Sequence, residues 1–146
     1  MIIDATYLNK MYDSEQVLRL ATDPGSGAPN PEDVIAAHIE AAEANIVSRL
    51  QRKYSTEEIQ NSALVKWLIA VMAVYTLAGR RMGTPSQEIL SQYQNAIAIL
   101  NELEEGSRVL ESTTQYLPPK PDELRKIYTE SGLFDGLEIV PEDEVL

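Results

Sequence analysis

A chain of 146 residues is long enough to bury a hydrophobic core as one domain without a metal or disulfide to brace it. It has no cysteine, which excludes disulfides, zinc-thiolate sites, thiol nucleophiles and iron-sulfur clusters. Twelve basic residues against 23 acidic ones give a formal charge of −11, so the surface as a whole repels a phosphate backbone unless its bases gather on one face.

The first residues, Met1-Ile2-Ile3-Asp4-Ala5-Thr6, lack both the basic start and the sustained apolar stretch of a secretory signal, and the chain reads as cytoplasmic in origin. Asp4 ahead of residues 5–12, then Asp13 with Gln16 three residues on in capping-box spacing, predict two short helical pieces. Val17, Leu18, Leu20 and Ala21 are expected to face inward. Two prolines and two glycines between Asp23 and Asn30 remove amide donors and add backbone freedom, so this stretch is a surface loop. Asn30 followed by Pro31, Glu32 and Asp33 is a helix start, with an oxygen acceptor at the cap, proline at the first position and acids beside the positive dipole end. From Ile35 the apolar positions Ile39, Ala42, Ile46 and Leu50 recur at spacings of three and four, predicting a long amphipathic helix that ends near Tyr54.

Ser55 and Glu58 again have capping-box spacing and predict a helical turn that runs on into the main apolar helix, roughly 62–80. Leu64, Trp67, Leu68, Val71, Met72, Tyr75 and Leu77 cover so much of that helix that it is the expected hub of the core. Its apolar run, 63–78, carries Lys66 and Thr76 and falls short of the roughly 20 apolar residues a membrane span needs. Arg80 and Arg81 stand where the last carbonyls call for positive charge, and Gly83 allows a turn. Thr84 as N-cap, Pro85 at the first position and Gln87 open a further helix with Ile89, Tyr93, Ala96, Ile97, Leu100 and Leu103 on its apolar side, stopping at Gly106. The expected fold is all-α: a small bundle of two long helices packed on a central apolar helix, with the short N-terminal helices closing an open side. Residues 1–110 make up this helical core.

Residues 111–146 form a proline-rich linker and acidic arm, with nine acids against three bases. Pro118, Pro119 and Pro121 favour an extended polyproline path. Apolar residues follow within a segment too short to bury them by itself, so Leu117, Tyr128, Leu133, Phe134, Leu137 and Ile139 are the candidate partner-binding residues, docking on the chain's own domain or on a neighbour. A disordered tail, or a flap on the chain's own core, is the competing reading.

No catalytic set emerges from the residue types. The lone His38 sits inside a helix beside Ile39 and reads as a helical surface histidine. The 23–33 loop places Gly25, Gly27 and Pro29 where a calcium loop needs oxygen ligands, and no lysine-serine or lysine-threonine pair follows Gly25-Ser26-Gly27 to make a phosphate cradle. Helical glutamates such as Glu40, Glu43, Glu102, Glu104 and Glu105 read as a solvated face. Arg49, Arg52, Lys53, Lys66, Arg80 and Arg81 either form a small basic patch or offset helix ends and pair with acids. Trp67 and the tyrosines at helical spacing read as core before they read as a stacking platform. No catalytic residue, metal or cofactor is expected.

The segments Ala41-Ala-Glu-Ala-Asn-Ile-Val-Ser-Arg-Leu-Gln-Arg-Lys-Tyr54, Ala73-Val-Tyr-Thr-Leu-Ala-Gly-Arg-Arg81 and Tyr93-Gln-Asn-Ala-Ile-Ala-Ile-Leu100, in this order after a Pro/Gly loop, carry a family likeness. The pattern resembles the small helical connector, adaptor or head-completion proteins of tailed bacteriophages and prophages, the Mu-like group in particular, over roughly residues 7–110. The proline-rich 23–31 loop and the C-terminal arm depart from it. The resemblance implies a virion structural protein of the neck, a homo-oligomeric ring joining the portal vertex to the next neck or tail component around the channel through which DNA passes. Its partners would then be the portal protein and the neighbouring neck or tail protein, with no specific DNA binding, no membrane and no enzymatic activity. Two other classes compete with it: an acidic helical binding or regulatory module, for instance a DNA mimic, and a small enzyme with oxygen-only chemistry.

Overall fold

The computed structural model describes residues 1–80 and 85–113, and every regular element in them is helical: α1 (Ala5–Met11), α2 (Ser14–Ala21), α3 (Pro31–Leu50), α4 (Thr56–Asn61), α5 (Ala63–Gly79) and α6 (Gln87–Glu105). The all-α bundle expected from the sequence is what forms. Helix α5 is its centre, with ten buried residues from Val65 to Ala78, packed between α3 and α6. The ends that meet fix the directions. His38, early in α3, bonds Thr76, late in α5, whereas Arg49 at the end of α3 bonds Asn101 and Glu104 near the end of α6. Helices α3 and α6 therefore run parallel to each other and antiparallel to α5.

Local chemistry explains most boundaries. Asp4 caps α1 through the Tyr7 amide, Asn30 caps α3 through the Glu32 amide with Pro31 behind it, and Ser55 with Glu58 completes a reciprocal capping box on α4. Gly106 ends α6 at φ 88°, a left-handed conformation that costs a residue with a Cβ, and its amide bonds the Glu102 carbonyl. The stripe Ile35, Ile39, Ala42, Ile46 and Leu50 is buried throughout. Before α1 the chain lies along α3, where the Ile2 amide donates to Glu43 Oε2 at 2.7 Å and Ile3 is buried.

Four expectations need correction. Helix α4 does not run into α5: Ser62 is extended (φ −79°, ψ 121°) and serves as the C-cap of the first and the N-cap of the second. Leu18 points outward and is 49% exposed, because Val17, Leu20 and Ala21 share one face while Leu18 lies about 100° round from Val17. Asp13 closes its cap on the Glu15 amide. Helix α6 begins two residues later than expected, with Ser86 as its N-cap and Pro85 ahead of it. Arg81, Gly83, Thr84 and residues 114–146 of the arm lie outside the described residues.

Candidate docking surface

The six arm residues singled out for partner binding, Leu117, Tyr128, Leu133, Phe134, Leu137 and Ile139, all lie outside the described residues. The root of the arm is described, and it is held by bonds that no local sequence pattern announces. The Glu111 carboxylate accepts the Ser62 hydroxyl at 2.9 and 3.0 Å and the Leu64 amide at 3.0 Å, so it caps the start of α5 from 49 residues away. Ser62 is fully buried and its hydroxyl also accepts the Val65 amide. Burial alone would push the Glu111 carboxyl up, but the bonds from Leu64, Ser62 and the neighbouring amides outweigh it and hold the group below the ordinary carboxylate value. Next along, the Ser112 hydroxyl bonds the Glu58 carbonyl, and Leu110 is buried. The bonding of the helical unit thus continues past 110.

A cleft of about 780 Å³ opens at the same end of the bundle, lined by residues 48–54 of the α3 terminus and by Leu103 and Glu104 of α6. Its frame is stiff. Leu50 and Leu103 are buried, and the Tyr54 hydroxyl bonds the Arg108 carbonyl at 3.3 Å, tying the turn after α3 to the turn after α6. Arg49 donates Nε and Nη2 to the two oxygens of Glu104, each at 2.7 Å, and Nη2 also reaches Asn101. That bidentate bond drives Arg49 up, and it is the chief cause that holds Glu104 below its ordinary value. Arg52 and Lys53 stand exposed on the cleft; among the described residues their side chains make no hydrogen bond or ion pair.

The remaining candidates are structural. Arg80 does not turn back to its own helix end: it reaches the Ala21 carbonyl and pairs with Asp23 at 2.6 Å, holding the Pro/Gly loop to the bundle. His38 Nδ1 lies 2.9 Å from the Thr76 hydroxyl and bridges α3 to α5; burial, then the Arg80 charge, lowers its pKa and favours the neutral ring. Trp67 is half-buried against the core, and Tyr75 stacks on Tyr93 with centroids 3.7 Å apart, joining α5 to α6. No group of three or more His, Cys, Asp or Glu among the described residues could hold a metal ion. No helix among them is long and apolar enough to cross a membrane.

The sequence model of one protein family, described as Bacteriophage Mu, Gp36, matches residues 3–127. The chain belongs to the bacteriophage Mu Gp36 family. The match takes in the whole Gp36-type helical unit and continues through the proline-rich segment, further than the 7–110 span suggested by the helix-end motifs, and it stops before the acidic segment that closes the sequence. No curated protein and no solved structure matches.

Proposed function

We propose that this Gp36-family protein is a structural assembly protein of the phage neck, a ring of subunits that joins the portal vertex to the next neck or tail component around the DNA channel. It acts by contact with other proteins and not by catalysis. The observation that carries this is the family match over 3–127, which assigns the chain to a phage protein family across its entire helical unit.

The geometry supports it in two ways. Glu111 and Ser112, at the root of the arm, are bonded to Ser62 at the start of α5 and to Glu58 of α4. A cleft with two exposed cations stands at that same end, where a partner can meet it. A net charge of −11 suits a conduit that must let a duplex pass without holding it.

The test is size-exclusion chromatography with light scattering on the purified chain at low and high concentration, with and without the portal protein of the same phage. A ring-sized species or co-migration with the portal is expected. A strict monomer that ignores the portal contradicts the proposal; if that monomer displaces DNA from a basic protein, the DNA-mimic alternative takes its place.

A further inference from the structure

We infer that the hollow between α1, α2 and the first turns of α3 receives the exposed turn that follows α6, centred on Val109, of a second copy of this chain. This contact rests on the assembly function proposed above, of which it is one part.

The hollow is apolar at its centre and acidic at its rim. Ala5, Leu18 and Ile35 line about 430 Å³ of space, and the charged residues in the lining are Glu15 and Glu32. Neither carboxylate makes a hydrogen bond or ion pair among the described residues. Leu18 stands half-exposed on a helix whose inward face is filled by Val17 and Ala21 without it. A leucine left in water beside a preformed apolar hollow is surface that a docked partner removes from water.

Exposure and charge choose the occupant. Among the described residues the large apolar side chains that stand exposed are Met1, Met11, Leu18 and Val109. Met11 and Leu18 lie on helices that themselves wall the hollow, so a copy presenting either would bring a second acidic rim against the first. Met1 has Asp4 and Glu43 about it as well as Lys10 and Lys66, with no surplus of positive charge to offer that rim. Val109 differs. It is 54% exposed and turned outward, because Leu110 after it is buried. Its turn is held by the Tyr54 hydroxyl on the Arg108 carbonyl, and the Lys53 ammonium stands over Gly106 of the same turn, 3.1 Å from where a Cβ would be. Glu102 and Glu104 are taken by Arg108 and Arg49, which leaves Glu105 against Arg52 and Lys53. An apolar side chain with a positive surplus beside it thus matches an apolar hollow with an acidic rim.

Rigidity makes the occupant a different copy. Ile35 lies near the start of α3 and the Val109 turn is tied to the turn that follows it, and the rise from Ile35 to Leu50 is about 22 Å at 1.5 Å per residue. Both surfaces belong to one helical unit, so a chain cannot fill its own hollow. A contact in which one end of a copy enters the other end of the next is head-to-tail, and its repetition closes a ring.

The experiment uses the full chain, alone or with the portal protein if the chain alone is monomeric. Because the chain has no cysteine, a Leu18→Cys chain mixed with a Val109→Cys chain and treated with a short bismaleimide reports the contact directly. Cross-linked dimer in the mixture, well above that from either chain by itself, is expected. Sedimentation velocity then measures association of variants whose fold is checked by circular dichroism. Leu18→Ala and Val109→Glu are each expected to weaken it roughly tenfold with melting unchanged. Glu15→Lys/Glu32→Lys and Arg52→Glu/Lys53→Glu should each weaken it also, and a chain carrying both sets should recover most of the loss. Association indifferent to Leu18→Ala and Val109→Glu overturns the inference and leaves the assembly function standing. So does a Leu18→Cys chain that cross-links to itself as well as to Val109→Cys, a mixture that yields no cross-linked dimer while the chain associates or binds the portal, or a charge loss that the combined chain fails to recover. A wild-type chain that neither self-associates nor binds the portal overturns both.

Discussion

Glu111→Ala removes the carboxylate that caps α5 from across the chain. The lost bonds are two contacts from the buried Ser62 hydroxyl and one from the Leu64 amide. A hydrogen bond to a charged group contributes about 1.5–3 kcal/mol when buried; because Glu111 is itself exposed and water can replace it at Leu64, about 1–2 kcal/mol is expected here. For a unit of this size that lowers the melting temperature by roughly 4–8 °C. Glu111→Gln, which keeps an acceptor but no charge, should lose about half as much. The pH dependence has a definite sign. The folded pKa of Glu111 lies below its ordinary value, so its contribution is complete above the unfolded value of about 4.3 and fades as the pH falls through the folded one; the gap between wild type and Glu111→Gln should close there. Thermal unfolding by circular dichroism from pH 7 downward measures this, with Ser62→Ala completing a double-mutant cycle whose coupling should be about 1 kcal/mol. A Glu111→Ala chain within about 0.5 kcal/mol of wild type would refute the anchoring role.

Ile46→Ala, at a position with no exposure, should cost about 2–5 kcal/mol in urea unfolding, whereas Leu18→Ala on the exposed side of α2 should stay within about 0.5 kcal/mol. Gly106→Ala places a Cβ on a residue at φ 88°; the one near atom is the flexible Lys53 Nζ at 3.1 Å, so the cost is conformational, about 1–2 kcal/mol by the same assay. The Tyr12 hydroxyl donates to Gln92 Oε1 at 2.7 Å, and burial, then the Glu88 charge, pushes its pKa to about 12. In an ultraviolet pH titration one tyrosine should therefore ionise well above the ordinary value, and Tyr12→Phe should remove that transition; the raised pKa means the Tyr12 contribution holds below the unfolded value of about 10 and is lost as the pH climbs through the folded one.

Features written in adjacent residues are legible in the sequence. Asn30-Pro31, the Ser55/Glu58 box, the stripe from Ile35 to Leu50 and the stop at Gly106 each depend on contacts within a turn or two, and all four stand where the pattern put them. What escaped depends on distant partners. The break at Ser62 is bridged by Glu111, a residue that reads locally as the start of a tail. Arg80 looked like a helix-end cation and instead spans to Asp23. In the candidate site, Arg49, Arg52 and Lys53 were visible as a cluster at one helix end, but only the parallel course of α3 and α6 brings Glu104 to Arg49 and leaves the other two cations displayed. The outward turn of Leu18 follows from which face of α2 meets α3 and α5, which no periodicity in eight residues decides.

The most direct test of the assembly function is to locate the chain in the particle, by imaging virions that carry an epitope tag on its N-terminus decorated with a gold-labelled antibody. The neck function predicts label at the head–tail junction of every complete particle, and heads without tails when the gene is deleted. Label at the tail tip, or complete particles that lack the protein, would contradict it.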